Sequence, residues 1–214
     1  MVELTIYGIP QSTYVRTARM ACHEKDVPYD LVPLWPHAEE TEALHPFGRI
    51  PVMKHGDFVL TETSAIARYI DRAFDGPPLM PADGRAAARA DQWISAVCDY
   101  LYQSLIRDLV LPRLVFPTIG RPTDEAAIAA SEETRRKHLA VVEATLAKSD
   151  HLAGKALTLA DLFLAPILYW VALTAEGKTA LDGRAGIARW RERIAARPSF
   201  QDTAPPLPEA RSAA

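Results

Sequence analysis

Residues 45–70 constrain the fold of this chain most, because a proline turn, a hairpin and a helix start follow one another there. Two apolar, β-rich runs flank a His-Gly-Asp turn, so residues 52–60 predict a short β-hairpin. Pro51 has no backbone donor, so it fits the start or end of a strand, and a cis peptide is accessible there. The next segment predicts an amphipathic helix that starts between Thr61 and Ser64. Its apolar face is expected to contain Ile66, Tyr69, Ile70, Ala73 and Phe74, which recur at helical spacing.

The start of this helix is a suitable place for a carboxylate. The first turn of a helix leaves backbone N–H groups without partners and carries the positive end of the helix dipole. The acid and hydroxyl residues at 61–64 can instead serve only as helix caps. Taken alone, this short polar string fits both interpretations.

The chain before this stretch alternates strands and helices. Residues 4–8 predict a strand that ends at a glycine, and a Ser-Thr pair opens a helix over 12–25. Residues 29–34 predict a second strand, and 35–44 an acidic connection with a short helix. Together with the hairpin and the helix that follow, this is the order of elements of a thioredoxin-like α/β domain.

Glycine and proline residues concentrate at 76–84, and the strand signals stop after them, which indicates a linker. We therefore expect two domains, an α/β domain over residues 1–78 and an all-helical domain over 85–214. Four helices are expected in the second domain, over 85–111, 123–148, 158–175 and 185–197.

Two prolines and a capping motif define the ends of these helices. Pro112 is expected to end the first helix, and Pro166 either kinks the third helix or is accommodated by it. Thr158 and Asp161 have the spacing of a capping box, with a hydroxyl at the N-cap and an acid three residues later.

The composition argues against several classes of function. A net charge of -3 over 214 residues gives neither half of the chain the basic character of a nucleic-acid binder. Cys22 and Cys98 form no CxxC pair, so we expect neither a disulfide framework nor a zinc site, and a reducing cytoplasm fits best. The histidines at 45, 55, 138 and 151 show no ligand spacing, so no metal is expected. We also expect no export signal and no membrane span.

The GRIP sequence, the hairpin and the ETSAI sequence together resemble the glutathione transferase superfamily, and the resemblance covers nearly the whole chain. It implies a thioredoxin-like N-terminal domain followed by an all-helical C-terminal domain. In that family the residue before a cis-proline, here Ile50 before Pro51, pairs its backbone with the cysteinyl part of glutathione. The acid and hydroxyl that follow, here Glu62 and Thr63, hold the γ-glutamyl ammonium and carboxylate.

The sequence YGIPQSTYVR, from Tyr7 onward, resembles the serine-type, phi-like transferases in the interval between the strand tyrosine and the serine. This resemblance implies that Ser12 holds the thiolate of glutathione. A cysteine thiol has a pKa of about 8.5, so only a few per cent is thiolate at neutral pH without such help. Thr13, Tyr14 and Tyr7 are alternative donors, although Thr13 fits the first helical position and Tyr7 the strand core. Cys22 is expected to be a small buried residue rather than a nucleophile.

Further site residues follow from the same resemblance. His37 and Arg49 are candidates for the glycine carboxylate of glutathione. Phe47 matches an aromatic key that inserts into the partner subunit, which implies a homodimer with two-fold symmetry. The electrophile site is expected among large side chains of the helical domain. The candidates are Trp93, Tyr100 and Phe116, followed by Tyr102 and Trp170.

The sequence thus predicts a cytoplasmic, homodimeric glutathione S-transferase, a detoxification enzyme with glutathione as cosubstrate and no metal. Its thiolate would attack a hydrophobic small-molecule electrophile. Two alternatives stay open. A glutathione-dependent isomerase or dehalogenase would use the same thiolate, and a non-catalytic member of the fold would only bind. The presence of Glu62 and Thr63 argues against the second alternative.

Overall fold

Residues 3–207 are described by the computed structural model, in which the chain divides into two compact units. One unit contains the residues up to Ala87 together with Ala195–Pro206, and the other contains Ala88–Ile194. No helix within residues 3–207 is both long enough and apolar enough to cross a membrane.

The first unit is built on a four-stranded mixed sheet. Its strands are β1 (Leu4–Tyr7), β2 (Asp30–Val32), β3 (Val52–His55) and β4 (Phe58–Leu60), in the order β2-β1-β3-β4. β1 pairs with β2 in parallel, and β3 is antiparallel to both β1 and β4. Both predicted strands and the hairpin are therefore confirmed.

Three helices accompany this sheet in the first unit, namely α1 (Thr13–Glu24), α2 (Glu39–Leu44) and α3 (Thr63–Ala73). The order β1-α1-β2-α2-β3-β4-α3 confirms the thioredoxin-like arrangement. α1 packs against α3, and both bury apolar residues in the core. Parallel pairing of β1 and β2 requires a crossover between them, which α1 provides.

The buried face of α3 differs from the prediction. It consists of Thr63, Ile66, Ala67 and Ile70. Ala73 is exposed, so its place on the predicted face was wrong. Tyr69 and Phe74 are only half-buried, and their rings lie beside His55 on β3, with Tyr69 Oη 2.8 Å from His55 Nδ1. Tyr69 and Phe74 thus contact His55 of β3, beside the buried face of α3.

A short C-terminal helix, Pro198–Gln201, also belongs to the first unit and packs against α1. Arg16 of α1 is fully buried, with its guanidinium 4.0 Å from the centre of the Phe200 ring and 2.7 Å from the Phe200 carbonyl oxygen. Burial alone would raise the pKa of Glu24, but hydrogen bonds from Arg197 and Ser199 lower it more, so its pKa lies below its ordinary value.

The second unit contains no strand among its described residues 88–194. Its helices are α4 (Gly84–Ala96), a π-helix (Val97–Val115), α5 (Glu125–Ala130), α6 (Glu132–Leu146), α7 (Leu159–Val171), α8 (Ala175–Leu181) and α9 (Ala185–Ala195). The short C-terminal helix of the first unit is α10 (Pro198–Gln201). The all-helical character is as predicted. α7 is buried on nearly every side and packs against the π-helix.

Three predicted helix boundaries in this unit were wrong. The helix predicted over 158–175 ends at Val171, and α8 follows it as a separate helix. Pro112 does not end the first helix but lies inside the π-helix, which continues to Val115. A proline removes one backbone donor, and the burial of this segment keeps the helix intact despite that loss. The helix predicted over 123–148 is divided at Ser131, whose hydroxyl donates to the Ile128 carbonyl and so competes with the helical backbone.

The predicted capping box is confirmed, and its acid makes further contacts. Asp161 is fully buried and accepts hydrogen bonds from the Thr158 backbone N–H at 2.9 Å and from the Thr158 hydroxyl at 3.1 Å. It also accepts from the Leu152 N–H at 3.0 Å and from the Trp190 indole at 2.9 Å. Pro166 lies within α7 without ending it, so it is accommodated. One carboxylate therefore joins α7, the loop before it and α9.

We expect Asp161→Ala to lower the free energy of unfolding by about 3 kcal/mol or more, because several buried donors lose their acceptor at once. Thermal unfolding followed by circular dichroism measures this change. Asp150→Ala is the matched control, because its carboxylate lies in an exposed ion pair with Arg193 and should contribute less than about 1 kcal/mol. Equal unfolding temperatures for the two variants would contradict the prediction.

Candidate active site

Ser12 lies at the N-cap of α1, where its side-chain oxygen accepts a hydrogen bond from the Val15 N–H at 3.3 Å. A hydroxyl that accepts one bond still has its own proton to donate. Thr13 is the first residue of α1 and is buried, as expected from the sequence. Tyr7 lies in β1, as predicted, but is half-buried rather than a core residue.

Gly8 connects this serine to the cis-proline segment. Its φ is 147°, and a β-carbon there would overlap Val15 Cγ2 and lie 3.3 Å from Ile50 Cβ. The end of β1, the first turn of α1 and Ile50 therefore meet around one residue without a side chain. Ser12 follows Gly8 by four residues. The loop between them is closed by a hydrogen bond that the Ser12 N–H donates to the Ile9 carbonyl at 3.1 Å.

The Ile50–Pro51 peptide bond is cis. Pro51 is buried, whereas Ile50 is half-buried just before β3. Val52 pairs with Tyr7 of β1, so Ile50 lies beyond the end of the regular ladder, next to Gly8. An extended segment at this point has backbone groups that can pair with a peptide-like ligand, in the manner of an added strand.

Glu62 and Thr63 form the start of α3. Glu62 has φ 68°, an uncommon conformation for a residue with a side chain, and its side chain makes no capping hydrogen bond. Its side chain is 65% exposed, while Thr63 is buried in the first turn. Simple capping by Glu62 does not account for this geometry. Strained backbone of this kind is often found at ligand sites, because the strained conformation directs the side chain toward the ligand before the ligand binds.

His45 was not recognised by sequence reasoning, which found no ligand spacing around it. The structure buries its side chain to 2% exposure and places its Nε2 3.9 Å from Glu62 Oε1. Its Nδ1 accepts the Phe47 N–H at 3.1 Å. The signal in the sequence was a lone histidine three residues before the GRIP segment, which does not reveal a contact with a residue 17 positions later.

The other predicted glutathione contacts lie close to this segment. His37 is exposed and has φ 62°, and its N–H donates to the Gly48 carbonyl at 2.8 Å. A β-carbon on Gly48 would lie 2.8 Å from His37 Nδ1, so the ring lies directly over the glycine. Arg49 is exposed next to Ile50. The first unit thus contains the predicted glutathione residues, from Ser12 to Thr63.

The candidates for the electrophile site lie in the second unit and differ in exposure. Trp93 and Trp170 are 8% and 4% exposed, whereas Tyr100 is 61% exposed. Phe116 is half-buried, with the Arg121 guanidinium 3.9 Å from its ring centre, and Tyr102 lies under Arg107. Their role stays a prediction. In the first unit, Phe47 is 71% exposed.

Cys22 is not suited to act as a protein nucleophile. Burial raises the pKa of the Cys22 thiol to about 12, although the nearby Arg19 lowers it, so Cys22 is not a thiolate at neutral pH. Within residues 3–207, no three histidine, cysteine or acidic side chains form a group able to hold a metal ion.

Comparison with known proteins agrees with this fold. Family models for the glutathione S-transferase N-terminal and C-terminal domains match residues 6–78 and 97–198. Glutathione S-transferase 3 of Zea mays is 34% identical, over 97% of this chain and 96% of its own length. The solved apo structure of glutathione S-transferase III has a TM-score of 0.86 and 35% identity, covering 97% of this chain and 99% of that one. Glutathione S-transferase I from maize, solved with an atrazine glutathione conjugate, has a TM-score of 0.84 and 28% identity, covering 94% and 96%.

A glutathione-dependent transferase is the class of protein that this architecture defines. It has a thioredoxin-like domain with a cis-proline segment and a serine at a helix N-cap, followed by a helical domain. The chain belongs to the glutathione S-transferase family, and it is an enzyme with that activity. The resemblance and the fold class inferred from the sequence are thereby confirmed.

We expect Gly8→Ala to displace the start of α1 and Ile50, because the added methyl group overlaps the Val15 side chain. The variant should lose about 2 kcal/mol or more of unfolding free energy and show a lower kcat/KM for glutathione. Gly56→Ala is the matched control. It also has a positive φ, of 60°, but nothing lies within 4 Å of the added carbon. A Gly8→Ala enzyme as active as Gly56→Ala would contradict this account of the site.

Proposed function

We propose that this enzyme activates glutathione through the Ser12 hydroxyl and transfers its sulfur to a hydrophobic small-molecule electrophile. The Ser12 hydroxyl donates to the glutathione sulfur and stabilises it as a thiolate. Lowering the thiol pKa by about two units raises the thiolate fraction at pH 7 from about 3% to about 75%. The thiolate then attacks the electrophile, and the leaving group departs with its electron pair.

The rest of glutathione binds along the GRIP segment and the start of α3. The Ile50 backbone pairs with the cysteinyl part of the ligand, and Pro51 holds that backbone in place. Glu62 meets the γ-glutamyl ammonium, and Thr63 with the free N–H groups of α3 receives the γ-glutamyl carboxylate. His37 and Arg49 are the candidates for the glycine carboxylate, since both are exposed, Arg49 next to Ile50 in the chain and His37 over Gly48.

The electrophile is an apolar molecule, and Trp93, Tyr100 and Phe116 are the first side chains to test for contact with it. A maize relative solved with an atrazine glutathione conjugate holds the kind of product such a transfer gives. The same comparison supports a role in detoxification, and the lack of a CxxC pair in the sequence fits a reducing cytoplasm. The choice among electrophiles depends on pocket contacts rather than on the fold.

The enzyme acts as a homodimer in which Phe47 inserts into the partner subunit. An exposed phenylalanine at 71% exposure, on a loop whose backbone is fixed by hydrogen bonds to His45, is suited to such a key. The position of the key matches the aromatic residue four positions before the cis-proline in the family.

The strongest support for thiolate activation is the position of Ser12. It is the N-cap of α1, it follows Gly8, which lies against Ile50, and it has a proton to donate. The N-terminus of α1 adds a positive potential that favours an anion at the same place.

We expect Ser12→Ala to lower kcat by about a hundredfold, with KM for glutathione changed by less than about threefold, because the hydroxyl acts on the anion. Ultraviolet absorbance of bound glutathione against pH measures the thiol pKa directly. It should be well below about 8.5 in the parent enzyme and return toward that value in the variant. Tyr7→Phe and Thr13→Ala test the alternative donors in parallel. Unchanged turnover in Ser12→Ala, with a loss in either of the others, would remove Ser12 from this role.

We expect Phe47→Ala to convert the dimer to monomer at micromolar concentration, because the variant loses its aromatic key while its backbone N–H still reaches His45. Size-exclusion chromatography with light scattering gives the mass. Trp35→Ala, another exposed aromatic residue of the same unit at 61% exposure, is the control and should stay dimeric. A Phe47→Ala dimer of parent stability would refute the key.

A further inference from the structure

His45 is a buried histidine that the proposed chemistry leaves without a role. It lies between α2 and β3, and its backbone is fixed at both sides, by its N–H to the Thr41 carbonyl at 2.8 Å and by the Gly48 N–H to its own carbonyl at 2.9 Å. Its side chain is 2% exposed. The Phe47 ring meets the imidazole edge-on, with ring centres 6.1 Å apart. The imidazole therefore has one position and one orientation.

The hydrogen bond from Phe47 determines the tautomer of this imidazole. The Phe47 N–H can only donate, so Nδ1, 3.1 Å away, must be the nitrogen without a proton. The neutral ring then has its proton on Nε2. The same backbone N–H that holds the ring thus turns its other nitrogen into a donor.

This donor faces the carboxylate of Glu62, with His45 Nε2 3.9 Å from Glu62 Oε1. That distance is longer than a hydrogen bond, so the contact is an electrostatic attraction between an N–H dipole and an anion. The backbone at Glu62 is constrained by its φ of 68°, but a glutamate side chain retains several freely rotating bonds. The Glu62 side chain is 65% exposed, so water surrounds it on most sides and the His45 N–H is a fixed polar group beside it.

We infer that His45 is a positioning residue for glutathione: it holds the Glu62 carboxylate where the γ-glutamyl ammonium reaches it. This inference rests on the proposed role of Glu62. A carboxylate held in the binding geometry before the ligand arrives loses less conformational freedom on binding. The gain appears in affinity for glutathione and not in the chemical step, because the ammonium is remote from the sulfur.

The substitution His45→Asn separates this role from a purely structural one. The asparagine side-chain oxygen can accept the Phe47 N–H as Nδ1 does, in an Asx turn, but it has no group that reaches Glu62. Glu62→Gln removes the anion itself. His55→Asn is the matched control, because His55 lies on β3 of the same unit and contacts Tyr69 instead.

Each variant is assayed with two forms of the cosubstrate, at a saturating concentration of a dinitrochlorobenzene electrophile. One form is glutathione, and the other is glutaryl-cysteinyl-glycine, in which a hydrogen replaces the γ-glutamyl amino group. We expect His45→Asn to raise KM for glutathione about two- to fivefold with kcat unchanged, as for an exposed charge contact. With the deaminated cosubstrate the variant and the parent should have equal KM. His55→Asn should match the parent with both forms.

Three outcomes overturn the inference. An unchanged KM for glutathione in His45→Asn excludes a role in binding, and an equal rise in KM with both cosubstrates shows an effect on the fold rather than on the ammonium. A rise in KM for glutathione in Glu62→Gln but not in His45→Asn removes His45 alone. If Glu62→Gln itself leaves KM for glutathione unchanged, the proposed role of Glu62 fails first, so the two failures are distinguishable.

Discussion

The absence of a side chain at position 8 is the constraint on which the site depends. A β-carbon there would overlap Val15 and crowd Ile50, so only glycine lets the end of β1, the first turn of α1 and the cis-proline segment come together. Ser12 belongs to the loop that leaves this point. The serine therefore follows, four residues along the chain, a glycine that lies against the Ile50 side chain.

The pairing of the strands determines where Ile50 lies. β1 is a central strand, paired with β2 on one side and β3 on the other, and Tyr7 at its end lies opposite Val52 of β3. Because the register of β3 is set by this pairing, Ile50 two residues earlier must fall beyond the ladder, where its backbone groups can pair with a ligand. The hairpin then returns the chain to the start of α3, where Glu62 and Thr63 lie. In the second unit, the buried carboxylate of Asp161 holds the structure together in a similar way, because it joins two helices and a loop.

The chemistry of the two ends of the glutathione site differs in kind. In the proposed mechanism, a neutral hydroxyl and a helix N-terminus at the sulfur end stabilise an anion that is only a minor form of free glutathione at neutral pH. At the proposed γ-glutamyl end, the Glu62 carboxylate is present before the ligand, and we propose that its conformational freedom limits affinity. His45 connects this end to the loop of Phe47, since one imidazole accepts from the Phe47 backbone and faces Glu62. A single turn between α2 and β3 thus serves both the proposed subunit contact and the ligand.

The sequence alone predicted most of the secondary structure and named the residues of the proposed glutathione site. Local signals, such as the hairpin turn, the Ser-Thr helix start and the capping box, depend on residues within a few positions of each other, and the structure has all of them. Predictions from local signals were wrong where tertiary packing determined the structure. Pro112 lies inside the π-helix, and Ala73 lies on the exposed side of α3. The contact of His45 with Glu62, the close approach of Gly8 to Ile50 and the Trp190 indole on Asp161 were decided only by the tertiary structure. Each joins residues far apart in the chain, and sequence spacing carries no information on such pairs.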